Sequence, residues 1–365
     1  GVGGGIPRRP RSDFFGDAIN LLFYYFCKSC YNQNTMKKTI IAIVVVLVVG
    51  GIAHYGFNKS NLTPANQEPI KVGIVIYPGY GAFYIAQEKG FFEKQGVKVE
   101  LIKLGAENLI PSLGSNQVQI TAGSADFTTI VADSGVDIAQ IFAPSLSYGA
   151  DGLVVRKNIN SLSDLKGKKV YLGLGFPSHF FFRYVSEQTG IKPGDIEIVN
   201  MDPEQVGVSF VAGNIDAGMT WEPWLTKIIT ETNNGKVLFS TRTNPLPAWD
   251  DVIVRRDVLE KRRDDVKKIM RAYFEAVDYW EKNRTEGNTI VARNFGLSLV
   301  EFEPMRDTVK LLDLKTNLER FDKTRPGNMY EIMEKAVEIY FADGIIKSKP
   351  DVNKIIDPSL LHEIR

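Results

Sequence analysis

In Trp221-Glu222-Pro223-Trp224 a carboxylate stands between two indoles. A carboxylate can take a cation or a hydrogen-bond donor, and flanking rings can enclose the apolar or cationic body of a small molecule. Pro223 suits neither a helix interior nor a central strand, so a strand should end here in a loop or a helix's first turn. Such an edge presents Trp221 and Glu222 at the rim of a sheet. Core packing of both tryptophans, with Glu222 solvated, accounts for the same residues equally well. A second candidate is Phe176-Pro177-Ser178-His179, which reads as a helix start. Backbone N–H groups at such a start can hold an anion. Ser178 as a plain cap and His179 as a surface residue are the simpler alternatives.

Turnover chemistry has little to work with. There are three histidines in the chain, with no cluster among them, so neither a Ser-His-Asp triad nor a histidine metal site is expected. Pro78-Gly79-Tyr80-Gly81 and Gly173-Leu174-Gly175 fall short of a dinucleotide fingerprint, and no P-loop or zinc-protease motif occurs. Cys27 and Cys30 are the two cysteines, a single C-x-x-C without the second pair that a zinc site needs. No catalytic residue, metal or cofactor is therefore expected. Lys+Arg number 44 against 43 Asp+Glu, leaving no basic excess to neutralise phosphates, so nucleic acid is not an expected partner.

At 365 residues the chain is long for one core, and two domains are the natural expectation. Met36-Lys37-Lys38 followed by the apolar run Ile40 to Ala53 reads as an export signal. The run is shorter than the roughly 20 residues of a spanning helix. Gly51-Ile52-Ala53 supplies a small-x-small cleavage pattern; the rival is an uncleaved anchor extended by Tyr55, Gly56 and Phe57. No cysteine follows, which excludes a lipoprotein anchor. Residues 36–57 are thus a signal peptide or membrane anchor and 58–69 a polar linker. Residues 1–35 precede a natural start and read as an over-extended start or a cytoplasmic tail. The remainder is expected to be extracytoplasmic.

From Ile70 onward strand and helix signals alternate. Strands are expected at Ile70 to Tyr77, Val97 to Ile102, Val118 to Thr121 and Asp137 to Ala143, with helices between them. A second set begins after Gly152-Leu153-Val154-Val155-Arg156: Val170 to Leu174, Glu197 to Asn200, Asp216 to Trp221 and Lys236 to Ser240. Trp249 to Arg255 is a further strand. Apolar residues at three- and four-residue spacing then predict a long helix over Asp257 to Asn283, and Leu299 to Leu312 is also read as a helix. This rhythm predicts an α/β fold of mostly parallel sheets covered by helices.

Five passages, in order, carry a family resemblance: Tyr77 to Gly96 (YPGYGAFYIAQEKGFFEKQG), Ala122 to Phe127, Leu162 to Arg183, Asp216 to Leu225 and Trp249 to Lys261. The stretch from about Ile70 to Phe341 resembles solute-binding proteins of ABC import systems, within them the nitrate/sulfonate/taurine group. Relatives of that group include thiamin-pyrimidine-precursor proteins. The resemblance implies the two-lobe periplasmic-binding-protein type II fold. Lobe one would comprise 70–156 plus 253–365 and lobe two 157–252, with two hinge crossings. Ligand contacts would come from the strand-to-helix turns: Tyr77, Tyr80, Gly81, Ser124 and Ala125 from lobe one, and Phe176, Ser178, His179, Trp221 and Glu222 from lobe two. Trp249 would stand near the hinge. The implied function is capture of a small organic anion and its delivery to an ABC permease and, through it, an ATPase subunit. A sulfonate or taurine-like amino-sulfonate suits this set, because the helix starts after Gly123 and Phe176 favour an anion while Glu222 asks for a cation or donor. A thiamin-pyrimidine precursor or other heterocycle, nitrate or bicarbonate, and a sensor of the same fold are the alternatives. An enzyme that makes the thiamin pyrimidine would need a cysteine-rich stretch, which the exported part lacks.

Overall fold

The computed structural model describes residues 68–244 and 250–365. Cys27, Cys30, the export segment and Trp249 lie outside the described residues. Two five-stranded sheets organise the fold. The first half of the chain supplies β1 (Ile70–Ile74), β2 (Val99–Lys103), β3 (Ile120–Ser124), β4 (Ile138–Phe142), β5 (Ser145–Ser147) and β6 (Asp151–Arg156). After it come β7 (Lys169–Leu172), β8 (Glu197–Asn200), β9 (Ala217–Trp221), β10 (Gly235–Ser240), β11 (Asp250–Arg255) and β12 (Val309–Leu311). The first sheet runs β2-β1-β3-β11-β4 and the second β10-β6-β9-β7-β8; β5 and β12 form a separate two-stranded ladder.

The βα repeats yield parallel ladders, β1 with β2 and β3, and β7 with β8 and β9. Strands β6 and β11 instead pair antiparallel on both sides. A parallel neighbour needs a crossover helix, and these two strands arrive from the other sheet without one. Four of the five strands in each sheet therefore run the same way, so the sheets are mostly parallel as the sequence pattern predicted, each mixed by one reversed strand. Strand β6 lies in the second sheet and all of β11 in the first, so the chain passes between sheets before Asp151 and before Asp250.

Helices cover both sheets. The amphipathic helix Arg263–Lys282 buries Val266, Ile269, Met270, Tyr273, Val277 and Trp280, and packs on the helix Gly81–Glu88. Trp280 is fully buried and stacks on Phe302, ring centroids 6.2 Å apart. The predicted helix to Leu312 stops at Arg306, because Val309–Leu311 pairs with β5 instead. Helix starts are capped where the sequence places short polar residues, for example Ser298 with Glu301 and Asn328 with Glu331. Among the described residues no helix is long and apolar enough to cross a membrane.

Candidate functional site

In an open α/β sheet, the carboxyl ends of parallel strands are where ligands bind. Here β1 ends before Tyr77 and Tyr80, β3 at Ser124, β7 before Phe176 and β9 at Trp221. All five residues line one cavity of about 60 Å³, between the rims of the two sheets. That is room for a few water molecules or a small head group. The walls are aromatic. Tyr77 and Tyr80 meet at a centroid distance of 5.1 Å. Phe127 and Phe176, at the starts of the helices that follow β3 and β7, lie nearly parallel at 5.9 Å, and Phe176 meets Trp221 at 6.4 Å.

The antiparallel strands bring acid to the same rim. Asp151, the first residue of β6, stands opposite Trp221 in the ladder, and Asp250, the first of β11, opposite Ser124. Asp126 joins them from the first turn of the helix Ala125–Asp133. These three side chains line the cavity and are only 8, 5 and 5% exposed respectively. Their side-chain donors are hydroxyls. Tyr77 Oη donates to Asp151 Oδ2 at 3.3 Å, alongside Ser147. Ser145 donates to Asp250. Tyr340 Oη, 2.7 Å from Asp126 Oδ2 and 3.1 Å from the Phe176 carbonyl, shares its proton between elements of both sheets. No Lys, Arg or His among the described residues lines this cavity. Gly79 is needed here, since a Cβ would press on the Ser145 hydroxyl and come 2.9 Å from Asp250 Oδ2.

Burial sets the electrostatics. It pushes the Asp151 carboxyl up to about 6, against the Ser147 hydrogen bond. Asp250 is driven well above the usual carboxylate range by burial, with Asp151 and Asp251 adding repulsion. Asp126 is raised by burial, and the Tyr340 and Ser124 hydroxyls offset part of this. Behind the rim, Asp251 is raised to about 7 by burial while accepting from Thr128 at 2.6 Å and Gln140 at 2.9 Å. Tyr77 and Tyr80 are held well above the ordinary phenol value by burial and by the carboxylates beside them.

Of the positions predicted from sequence, Tyr77, Tyr80, Ser124, Phe176 and Trp221 come together at the cavity; Gly81, Ala125, Ser178, His179 and Glu222 do not line it, and Trp249 lies outside the described residues. Gly81 is a packing position: a Cβ there would come within 2.6 Å of the Trp280 ring. Ala125 lies behind Ser124 at the start of its helix. Ser178 Oγ turns back to the Gly173 carbonyl at 3.4 Å. His179 faces away: Nδ1 accepts from Gly175 N–H at 3.3 Å, and Nε2 lies 3.1 Å from Asp343, which also pairs with Arg183. Burial lowers the His179 pKa, consistent with a neutral ring donating to Asp343. Glu222 accepts from Thr226 N–H at 3.0 Å and from its hydroxyl at 2.9 Å, closing the first turn of the helix Trp224–Glu231. Burial raises Glu222 to about 7.

Asp126, Asp151 and Asp250 are the residues that sequence reasoning missed. The available signals were an acid opening the apolar run Gly152 to Val155 and an acid directly after Trp249.

A two-sheet α/β fold with an enclosed aromatic cleft at the strand ends defines a small-molecule binding protein. The chain belongs to the NMT1/THI5-like family, whose model matches residues 78–286. It is 24% identical over 348 residues to the "Putative aliphatic sulfonates-binding protein" of Bacillus subtilis, covering 89% of this chain and 96% of that one. It is 28% identical over 199 residues to the taurine-binding periplasmic protein of Escherichia coli, covering 53% of this chain and 61% of that one. The fold is that of the periplasmic aliphatic sulphonate binding protein SsuA of Escherichia coli (TM-score 0.68, 17% identity, 81% of this chain and 100% of that one). A desulfurization enzyme shares it too (TM-score 0.61, 13% identity, 82% of this chain and 99% of that one).

Proposed function

We propose that this chain is the extracytoplasmic solute-binding component of an ABC importer, acting without chemistry of its own. Its solute is a small organic compound of the sulfonate and taurine group. The observation that carries this reading is the cavity: four strand ends, two from each sheet, converge on it, so a small molecule there would be held between residues of both sheets. The named relatives support the solute class. The sheets are the cores of two lobes, joined by crossings between Phe142 and Asp151 and between Ser240 and Asp250. Two crossings permit hinge opening, which lets a solute in and presents both lobes to a permease. Among the described residues His179 is the one histidine near the aromatic walls, and it is committed to Gly175 and Asp343, which supports binding rather than turnover.

Small-angle scattering on the full chain, with and without taurine or an alkanesulfonate, tests this. The radius of gyration should fall as the solute saturates the protein. Binding of such a solute with no change in radius refutes hinge closure, and absence of binding by any of them refutes the solute class.

A further inference from the structure

We propose that the cleft recognises its solute by a protonated nitrogen, held among the carboxylates of Asp126, Asp151 and Asp250. The inference rests on the solute-binding reading and narrows the ligand to organic ammonium ions, whether free amines or the amino end of an aminosulfonate. The three carboxyl groups come from three separate elements and face one cavity. Burial of carboxylates is costly unless a counter-charge or a full set of donors meets them. The side-chain donors present are neutral hydroxyls, and no basic side chain among the described residues lines the cavity. A cationic solute supplies the missing charge.

Ser124 gives a second, independent sign of a ligand. Its hydroxyl lines the same cavity and is buried; it lies near enough to Asp126 to favour that carboxylate, yet makes no hydrogen bond of good geometry. An ammonium group has three N–H donors and no acceptor, which suits an open hydroxyl oxygen beside carboxylates. The walls agree: Tyr77, Tyr80, Phe176 and Trp221 line the same cavity, and aromatic rings suit an organic cation. An inorganic cation fits less well. Among the described residues no three acidic, histidine or cysteine side chains stand close enough to hold a metal ion. Carboxylates spaced in this way suit the N–H donors of a larger, organic group.

The helix starts expected to take an anion are poorly free to do so. Asp126 itself occupies the first turn after Ser124. The other start opens with Pro177, which has no N–H, and the N–H groups of His179 and Phe180 bond back to the Phe176 carbonyl. A plain sulfonate would face the carboxylates with neutral hydroxyls and the few N–H groups left at these helix starts, and with no basic side chain, to offset them.

Calorimetric titration at pH 8 with taurine, ethylammonium and ethanesulfonate tests the proposal. Taurine and ethylammonium should bind, and ethanesulfonate about 30-fold more weakly than taurine or worse. D126N, D151N and D250N should each weaken taurine by a similar factor without weakening ethanesulfonate. Ethanesulfonate binding as tightly as taurine overturns the ammonium subsite while leaving solute capture standing, as does equal loss of both probes in the variants. Failure of both ammonium probes also overturns it. Closure with ethanesulfonate, seen by scattering, separates that result from a failure of solute binding itself.

Discussion

Asp151→Asn separates function from stability at the centre of the cleft. An acid whose folded-state pKa lies above its unfolded value favours folding fully only below the unfolded pKa. That contribution is lost as pH rises through the folded pKa. For Asp151 the window runs from the ordinary 3.8 to about 6. Two pK units amount to about 3 kcal/mol, so the unliganded protein at pH 8 carries a penalty of up to that size at this residue. Asparagine removes the charge and keeps an amide oxygen that can accept from Tyr77 or Ser147. The lost second hydrogen bond offsets the gain by about 1 kcal/mol. Thermal unfolding of the unliganded protein at pH 8 should show Asp151→Asn about 1–3 kcal/mol more stable than the parent, roughly 2–10 °C in Tm. At pH 4 the two should unfold together or the variant slightly earlier. A variant less stable than the parent at both pH values would refute the reasoning, because the carboxylate would then be a satisfied structural group.

Three further outcomes follow from the same geometry. Glu222→Gln should change solute affinity by no more than about twofold, since Glu222 serves Thr226 and does not line the cavity; a loss of about tenfold or more in titration would return it to the site. Trp280→Ala should cost about 3–5 kcal/mol in denaturant unfolding, because the ring is fully buried under Gly81 and Phe302; a cost below about 1 kcal/mol contradicts that packing. A chain beginning at Asn61 should stay soluble and bind taurine as the full chain does, since the first strand begins at Ile70; aggregation or lost binding on titration would show that the preceding residues take part.

The sequence made the α/β class legible through its βα rhythm, and the strand-end turns through Pro78 to Gly81, Ser124 and Trp221. Those turns carry large aromatics or small residues whose roles are local, so reading them in order was enough. The acidic side of the cavity was hidden for a physical reason. Asp151 and Asp250 reach the rim only because β6 and β11 run antiparallel, and periodicity reports burial without direction. In parallel strands their first residues would lie at the opposite edge. Glu222 shows the converse. Its neighbours Trp221 and Pro223 made it conspicuous, yet a helix turn one residue on took its carboxylate. His179 stood out as one of few histidines, and its partner Asp343, far along the chain, is beyond any local pattern.

The most direct test of the account is native mass spectrometry of the full chain purified from cells that express it, followed by identification of any small molecule released on denaturation. The account predicts one bound organic solute per chain, carrying a basic nitrogen and replaceable by taurine. A bound anion with no basic nitrogen, or a protein that carries no solute and takes up none on titration, would contradict it.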